Sequence, residues 1–278
     1  MKTAIRKKGL LAGVLALVIL ASCATVTRVP ITGRKQRLSV TNEQMLSLST
    51  TQYKEYLGSA KKSTNATNTA LVQRVGKKLA DAVISYLMNN GYANEANYYA
   101  WEFNLVQNTS VNAFCMPGGK IVVYEGMLAV TQDEPSLAIV LGHEIAHAVA
   151  KHSAEQLSKQ KNQSIITSLG SSILAAKVGE ETANMATSLA STGLTFLNAH
   201  YSRDNESEAD HMGLIFAAMA GYDPNTAITF WQRMSKASGG KQAGVLQSYL
   251  SSHPSDAKRI SDIQRWLPEA MKYYTGTK

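Results

Sequence analysis

The chain has 278 residues, 45% of them hydrophobic, with 28 Lys and Arg against 20 Asp and Glu, two Cys and a formal net charge of +8. That length and apolar content suit one sizeable core and exclude an intrinsically disordered chain, while two cysteines exclude a disulfide-stapled scaffold. Four of the basic residues lie in the first 22 positions, leaving 24 basic against 20 acidic side chains and no basic stripe with interleaved aromatics, so no nucleic-acid partner is expected.

At the start, Lys2, Arg6, Lys7 and Lys8 precede the apolar run Gly9–Ser22. Fourteen residues are too few to span a bilayer as a helix, and the stretch reads as an export signal over residues 1–22. An uncleaved N-terminal anchor is the alternative. Leu20-Ala-Ser-Cys23 resembles a bacterial lipobox, which implies that Cys23 becomes a lipidated first residue and anchors the protein to a membrane. Ala24 after it, in place of Asp, favours an outer-membrane lipoprotein facing the periplasm. With Cys23 acylated, Cys115 has no partner for an intrachain disulfide. Residues 23–39 contain Pro30, Gly33 and several basic residues without apolar periodicity, as a lipidated N-terminus and tether would. Residues 40–278 are expected to form a single domain.

Within that domain, Thr41-Asn-Glu-Gln44 caps a short helix carrying Met45, Leu46 and Leu48. A longer helix is predicted from about Thr67 to Met88, with Leu71, Val72, Val75, Leu79, Val83 and Leu87 near helical spacing. Strands follow at Trp101–Val106 and, after the turn Met116-Pro-Gly-Gly119, at Lys120–Tyr124. The stretch Gln163–Phe196, rich in small residues, suggests closely packed helices, and Lys177, Glu180 and Glu181 keep it from spanning a membrane. Helices are also predicted at Asn205–Ala220, Asn225–Ser238 and Asp256–Trp266. The fold class is α+β and mainly helical, with a small β-sheet and a helical C-terminal half.

Between the strands and the C-terminal helices lies Leu141-Gly-His-Glu-Ile-Ala-His-Ala-Val-Ala150. Positions i and i+4 share a helix face, so His143 and His147 can reach one metal ion while Glu144 points towards a water bound to it. Catalytic zinc takes three protein ligands and keeps a position for water, so a third ligand must lie elsewhere. Downstream, Glu206 and Asp210 are four residues apart and share a face. Glu206 then serves as ligand, and Asp210 as the carboxylate that accepts a ring N–H from a zinc histidine. Glu208 lies round the helix and is expected to be solvated. His152, at i+5 from His147, turns off the zinc face and is read as structural or surface; His200 and His211 are given no role.

Several blocks together resemble the HtpX-like and CAAX-prenyl-protease-like zinc endopeptidases, in particular their soluble bacterial lipoprotein branch. They are Pro30-Ile-Thr-Gly-Arg34, Asn112-Ala-Phe-Cys-Met-Pro-Gly-Gly119, Gly126-Met-Leu128, His143-Glu-Ile-Ala-His147 with His152, Tyr201-Ser-Arg203, Glu206-Ser-Glu-Ala-Asp210 with Gly213, and His253-Pro254 before Arg259. The resemblance implies a zincin-like core with one zinc ion per chain, held by His143, His147 and Glu206, with Glu144 as general base and Asp210 behind the ligands. Asn112, Ala113 and Phe114 resemble the edge segment along which an extended substrate is laid. His253 is implied to fold back over the zinc, where it would either block the open position or donate to the oxyanion.

The expected function is hydrolysis of internal peptide bonds in misfolded or unassembled envelope proteins, with polypeptides as substrates and the envelope assembly machinery as a partner. The rival from another class is a periplasmic chaperone or assembly factor for outer-membrane proteins that uses the zinc fold to bind clients. An intact Glu144 favours chemistry, because binding does not need a general base.

Overall fold

The computed structural model describes residues 25–171, 196, 199–238, 243–253 and 258–276. Residues 1–24, Pro254 and most of the stretch 172–198 lie outside the described residues, and with them the predicted export signal, the predicted lipid attachment at Cys23 and the later part of the predicted Gln163–Phe196 helices.

Strand β1 (Thr25–Arg28) pairs antiparallel with β2 (Lys35–Leu38). Residues 25–38, expected as a loose tether, are thus a hairpin docked on the domain through buried Val29, Gln36 and Leu38. Its turn is tight: Gly33 N–H bonds to the Val29 carbonyl at 2.9 Å and Val29 N–H to that of Arg34 at 2.9 Å. Helix α1 (Asn42–Ser59) starts on the predicted cap, where Thr41 accepts from Gln44 N–H and Gln44 returns a bond to Thr41 N–H. Helix α2 (Ala66–Asn89) buries Val72, Val75, Leu79, Val83 and Leu87 as its spacing demands, and α3 (Ala93–Ala96) is one turn.

A three-stranded sheet follows in the order β3-β5-β4. Strand β3 (Glu102–Val106) runs parallel to the central β5 (Lys120–Tyr124), and β4 (Ala113–Met116) runs antiparallel to it on the edge. Alternation divides the side chains between two cores. Leu105, Ala113, Cys115, Ile121 and Val123 face the helical core with α2, whereas Val106, Phe114, Met116 and Val122 face Leu38, Met45, Tyr53 and Leu157.

Helix α4 (Glu125–Thr131) leads into α5 (Glu134–Val149), which is capped by Asp133, carries Pro135 in its first turn and is buried along nearly its whole length. Helix α6 (His152–Ser171) follows at once. The C-terminal part adds α7 (Arg203–Met219), capped by Ser202, then α8 (Thr226–Ser238), α9 (Ala243–Ser252) and α10 (Arg259–Ala270). The last begins three residues later than its predicted start and runs four residues past its predicted end.

Helices α5 and α7 make the most extensive helix–helix contact among the described elements. They cross at glycines. A Cβ on Gly142 would stand 2.7 Å from the Gly213 carbonyl oxygen, and one on Gly213 would stand 2.7 Å from the His143 backbone nitrogen. Both obstacles are backbone and cannot swing aside. Gly213→Ala is therefore expected to cost about 1–3 kcal/mol by forcing the helices apart. A urea titration would show this as a lower midpoint at unchanged slope; an unshifted midpoint would mean that the crossing tolerates a methyl group.

Candidate metal centre

The α5–α7 crossing determines what meets in the interior. His143 and His147, one turn apart on α5, bring their Nε2 atoms to 3.0 Å of each other. Glu206, from the first turn of α7, places Oε1 3.2 Å from His147 Nε2 and Oε2 3.4 Å from His143 Nε2. His253, immediately after α9, brings Nδ1 to 3.1 Å from His143 Nε2 and 3.1 Å from Glu206 Oε1. All four residues are buried, and one ligand atom from each lies within 4.8 Å of the others.

This arrangement fits a divalent cation. A tetrahedral ion with bonds of about 2.0–2.1 Å keeps its ligand atoms roughly 3.3 Å apart, close to the separations here. Charge agrees with geometry: burial would raise the Glu206 carboxyl, but His253, His143 and His147 hold it well below the ordinary range, so it is ionised. Burial keeps His147 well below its usual value and neutral, as a ligand must be. For His143 burial acts downward too, yet Glu206 and Asp210 push it up to about 9, so the point where these atoms meet favours positive charge.

Glu144 lies beside the cluster, buried, with Oε1 3.6 Å from His253 Nε2 and without any hydrogen-bond partner. Burial raises its carboxyl above the ordinary value. A buried carboxylate oxygen with nothing to accept from is costly unless it serves a bound species, and this one adjoins the four ligand atoms.

Outside the four converging atoms, His143 Nδ1 donates to Asp210 Oδ1 at 2.9 Å, which directs its Nε2 at the cluster. Asp210 also accepts from Arg259 at 2.6 Å, and the Arg259 guanidinium stacks 3.5 Å over the Trp231 ring. Burial would raise Asp210, but Arg259 and His143 outweigh it and keep it ionised. The sequence reading missed two supporting side chains. Arg259 was noted only within the His-Pro block, and Tyr201, also in a quoted block, stacks on His147 at 4.1 Å and shares a 2.8 Å hydrogen bond with Ser153.

Glu208 differs from expectation, whereas His152 takes the structural of the two places expected of it. Glu208 is buried rather than solvated because the β1–β2 hairpin and α6 cover that flank of α7. It accepts from Thr32 and Arg34 and contacts His152, and these bonds bring its carboxyl down to about 2 against the upward pull of burial. His152 is not among the four ligand residues, but it is fully buried and touches His147 directly, Nδ1 to Nδ1 at 2.9 Å. His200 bonds to the Ser251 carbonyl and His211 to Glu269. Burial pushes the Cys115 thiol well up, which favours its protonated form.

Asn112, Ala113 and Phe114 sit at the sheet edge. Among the described residues the outer side of β4 pairs with no other strand, and these three line a cavity with Glu144, Tyr201 and His253. No described helix is long and apolar enough to cross a membrane.

A buried H-E-x-x-H helix with a glutamate from a second helix, in a mainly helical domain with a small sheet, defines a metallopeptidase of zincin-like architecture. The chain belongs to peptidase family M48, which residues 66–267 match. It is 41% identical over 170 residues to the mitochondrial metalloendopeptidase OMA1 of Schizosaccharomyces pombe, covering 61% of this chain and 48% of the relative. To the mitochondrial metalloendopeptidase OMA1 of Homo sapiens it is 30% identical over 247 residues, covering 87% and 46%. To a putative beta-barrel assembly-enhancing protease of Vibrio cholerae it is 32% identical over 162 residues, covering 58% and 33%. The chain thus spans about half the length of the OMA1 relatives and a third of the Vibrio protein. These similarities correct the expected localisation: OMA1 relatives named as mitochondrial overturn the placement as an outer-membrane lipoprotein facing the periplasm.

Asp210→Asn is expected to lower metal affinity about 10–100-fold, the usual effect of removing the acceptor behind a ligand histidine. Chelator competition measures it, and an unchanged affinity would detach Asp210 from the site.

Proposed function

We propose that the protein is a zinc-dependent endopeptidase that cleaves internal peptide bonds of misfolded or unassembled envelope proteins. The observation that carries this reading is the Glu144 carboxylate, buried, with Oε1 lacking a hydrogen-bond partner beside four converging atoms, and sharing a cavity with the β4 edge that pairs with no other described strand. A client-binding assembly factor would have no use for such a group. His143, His147 and Glu206 would hold one zinc ion, which when bound would supply Lewis-acid activation of the scissile carbonyl. Glu144 takes the proton from the attacking water and returns it to the leaving amine. The outer edge of β4 at Asn112–Phe114 binds an extended substrate by backbone hydrogen bonds and lays its scissile bond over Glu144.

His253 belongs to the same proposal. Its Nδ1 stands at hydrogen-bonding range from both His143 and Glu206, which supports a role as fourth ligand over that of a donor set back from the metal. It therefore holds the enzyme latent until the end of α9 moves. The membrane partner is reached through a lipid on Cys23, and the machinery that assembles envelope proteins is the partner class this activity implies.

Two substitutions separate these roles. Glu144→Gln should retain zinc by metal analysis yet abolish cleavage of casein, and wild-type turnover by that variant would refute the base assignment. His253→Ala should keep zinc and raise the cleavage rate. A fall of about 10²–10³-fold would instead make His253 an oxyanion donor.

A further inference from the structure

The two ligand histidines are supported differently. Behind His143 stands a carboxylate, Asp210, backed by Arg259. Behind His147 stands another histidine. His147 Nδ1 and His152 Nδ1 are 2.9 Å apart, and His152 Nε2 is 3.0 Å from Glu208 Oε2. Glu208 in turn accepts from Thr32 Oγ1 at 2.6 Å and from Arg34 Nε at 2.9 Å. Arg34 also bonds to Glu155 on α6 through both terminal nitrogens.

With both imidazoles neutral, one proton arrangement satisfies this chain. Glu208, ionised and already accepting from Thr32 and Arg34, can only accept from His152, so His152 Nε2 carries the proton and its Nδ1 has a lone pair. His147 Nδ1 must then carry the proton facing it, which leaves the His147 Nε2 lone pair pointing at the ligand cluster. Without Glu208 the His152 tautomer is free to reverse. A proton on His152 Nδ1 would oppose the N–H of His147 and favour the His147 tautomer that cannot bind metal.

The hairpin is shaped for this contact. Ile31 holds φ at 67°, and Thr32 N–H bonds to the Pro30 carbonyl at 2.8 Å, a γ-turn in the left-handed region that a β-branched residue adopts at a cost. The turn sets Thr32 and Arg34 side by side on Glu208. Both lie upstream of the stretch matched to the family.

We infer that Thr32 and Arg34 of the hairpin, acting through Glu208 and His152, are positioning residues that fix the metal-binding tautomer of His147. The inference rests on the proposed role of His147 as a ligand. Removing the acceptor at the far end should therefore loosen the metal although none of these residues touches it.

The test uses the full-length zinc-loaded protein and follows zinc release into excess chelator. Glu208→Gln and Arg34→Met should release zinc about 10–100-fold faster than wild type, with kcat reduced and KM unchanged. Thr32→Val should do so more weakly, and Thr32→Ser, which keeps the hydroxyl, should restore wild-type behaviour. Glu155→Gln, which removes the other partner of Arg34 but leaves Glu208 in place, should release zinc at close to the wild-type rate. In cobalt-substituted protein the visible spectrum should change in Glu208→Gln and stay as wild type in Glu155→Gln, a difference that a general loss of stability would not produce. If Arg34→Met does not fold, the Thr32 pair gives the same reading. Wild-type release rates and spectra in folded Glu208→Gln and Thr32→Val would overturn the relay. His147→Ala keeps the two failures apart: if it too retains zinc at wild-type affinity, the ligand assignment has fallen, and if it loses zinc while the relay variants do not, only the relay has.

Discussion

The close crossing of α5 and α7 is the constraint on which the site depends. One helix carries both histidines and the other carries Glu206 and Asp210, and a glutamate side chain is short enough that the helix axes must approach almost to backbone contact. Gly142 and Gly213 make this possible, since each removes the Cβ that would meet the opposing backbone. Gly142 directly precedes His143, and Gly213 follows Asp210 by three residues, so the point of closest approach is also the floor of the ligand cluster. Around this pair the sheet contributes an edge strand and α9 contributes His253, neither of which sets the separation of the first three ligands.

The polar groups packed about the crossing would be a liability without a shared counter-charge. Four candidate ligand residues, Glu144, Asp210, Glu208, His152 and Arg259 are gathered in one interior with Arg34 at its margin, and among these described residues each charge finds its opposite within hydrogen-bonding range except at Glu144. Burial alone would neutralise the carboxylates; the histidines and Arg259 keep Glu206 and Asp210 ionised. The site is thus held in a charged state that suits a cation, and the unsatisfied Oε1 of Glu144 marks where reaction is proposed to occur.

Much of this was legible in the residues. The i, i+4 pair on an apolar run gave the helix and its orientation, and the next i, i+4 pair singled out Glu206 and Asp210, because both signals are local and helical periodicity carries them. The capping box at Thr41 and the spacing of α2 were readable for the same reason. Strand β4 was harder: Ala113–Met116 are all buried, so no alternation betrayed a strand. Glu208 was misjudged because its burial comes from a hairpin more than 170 positions away, and no periodicity on α7 reports what packs against it. The i+5 spacing of His152 excludes it from the cluster but does not report its contact with the far side of the His147 ring. The hairpin looked like a tether since two four-residue strands around a Pro-Gly turn lack the length to show a pattern.

The sequence separation within the centre has a consequence for the life of the molecule. Residues that meet there range from Thr32 to Arg259, and His143 must find His253 across 110 positions. Synthesis proceeds from the N-terminus, so the H-E-x-x-H segment leaves the ribosome well before Glu206, and the support behind His147 closes only when the hairpin docks on α7. A partly made or partly unfolded chain thus holds two histidines and no completed centre. Whatever reactivity the finished centre has is therefore absent from a chain still being made, and arrives only with the last of the native contacts.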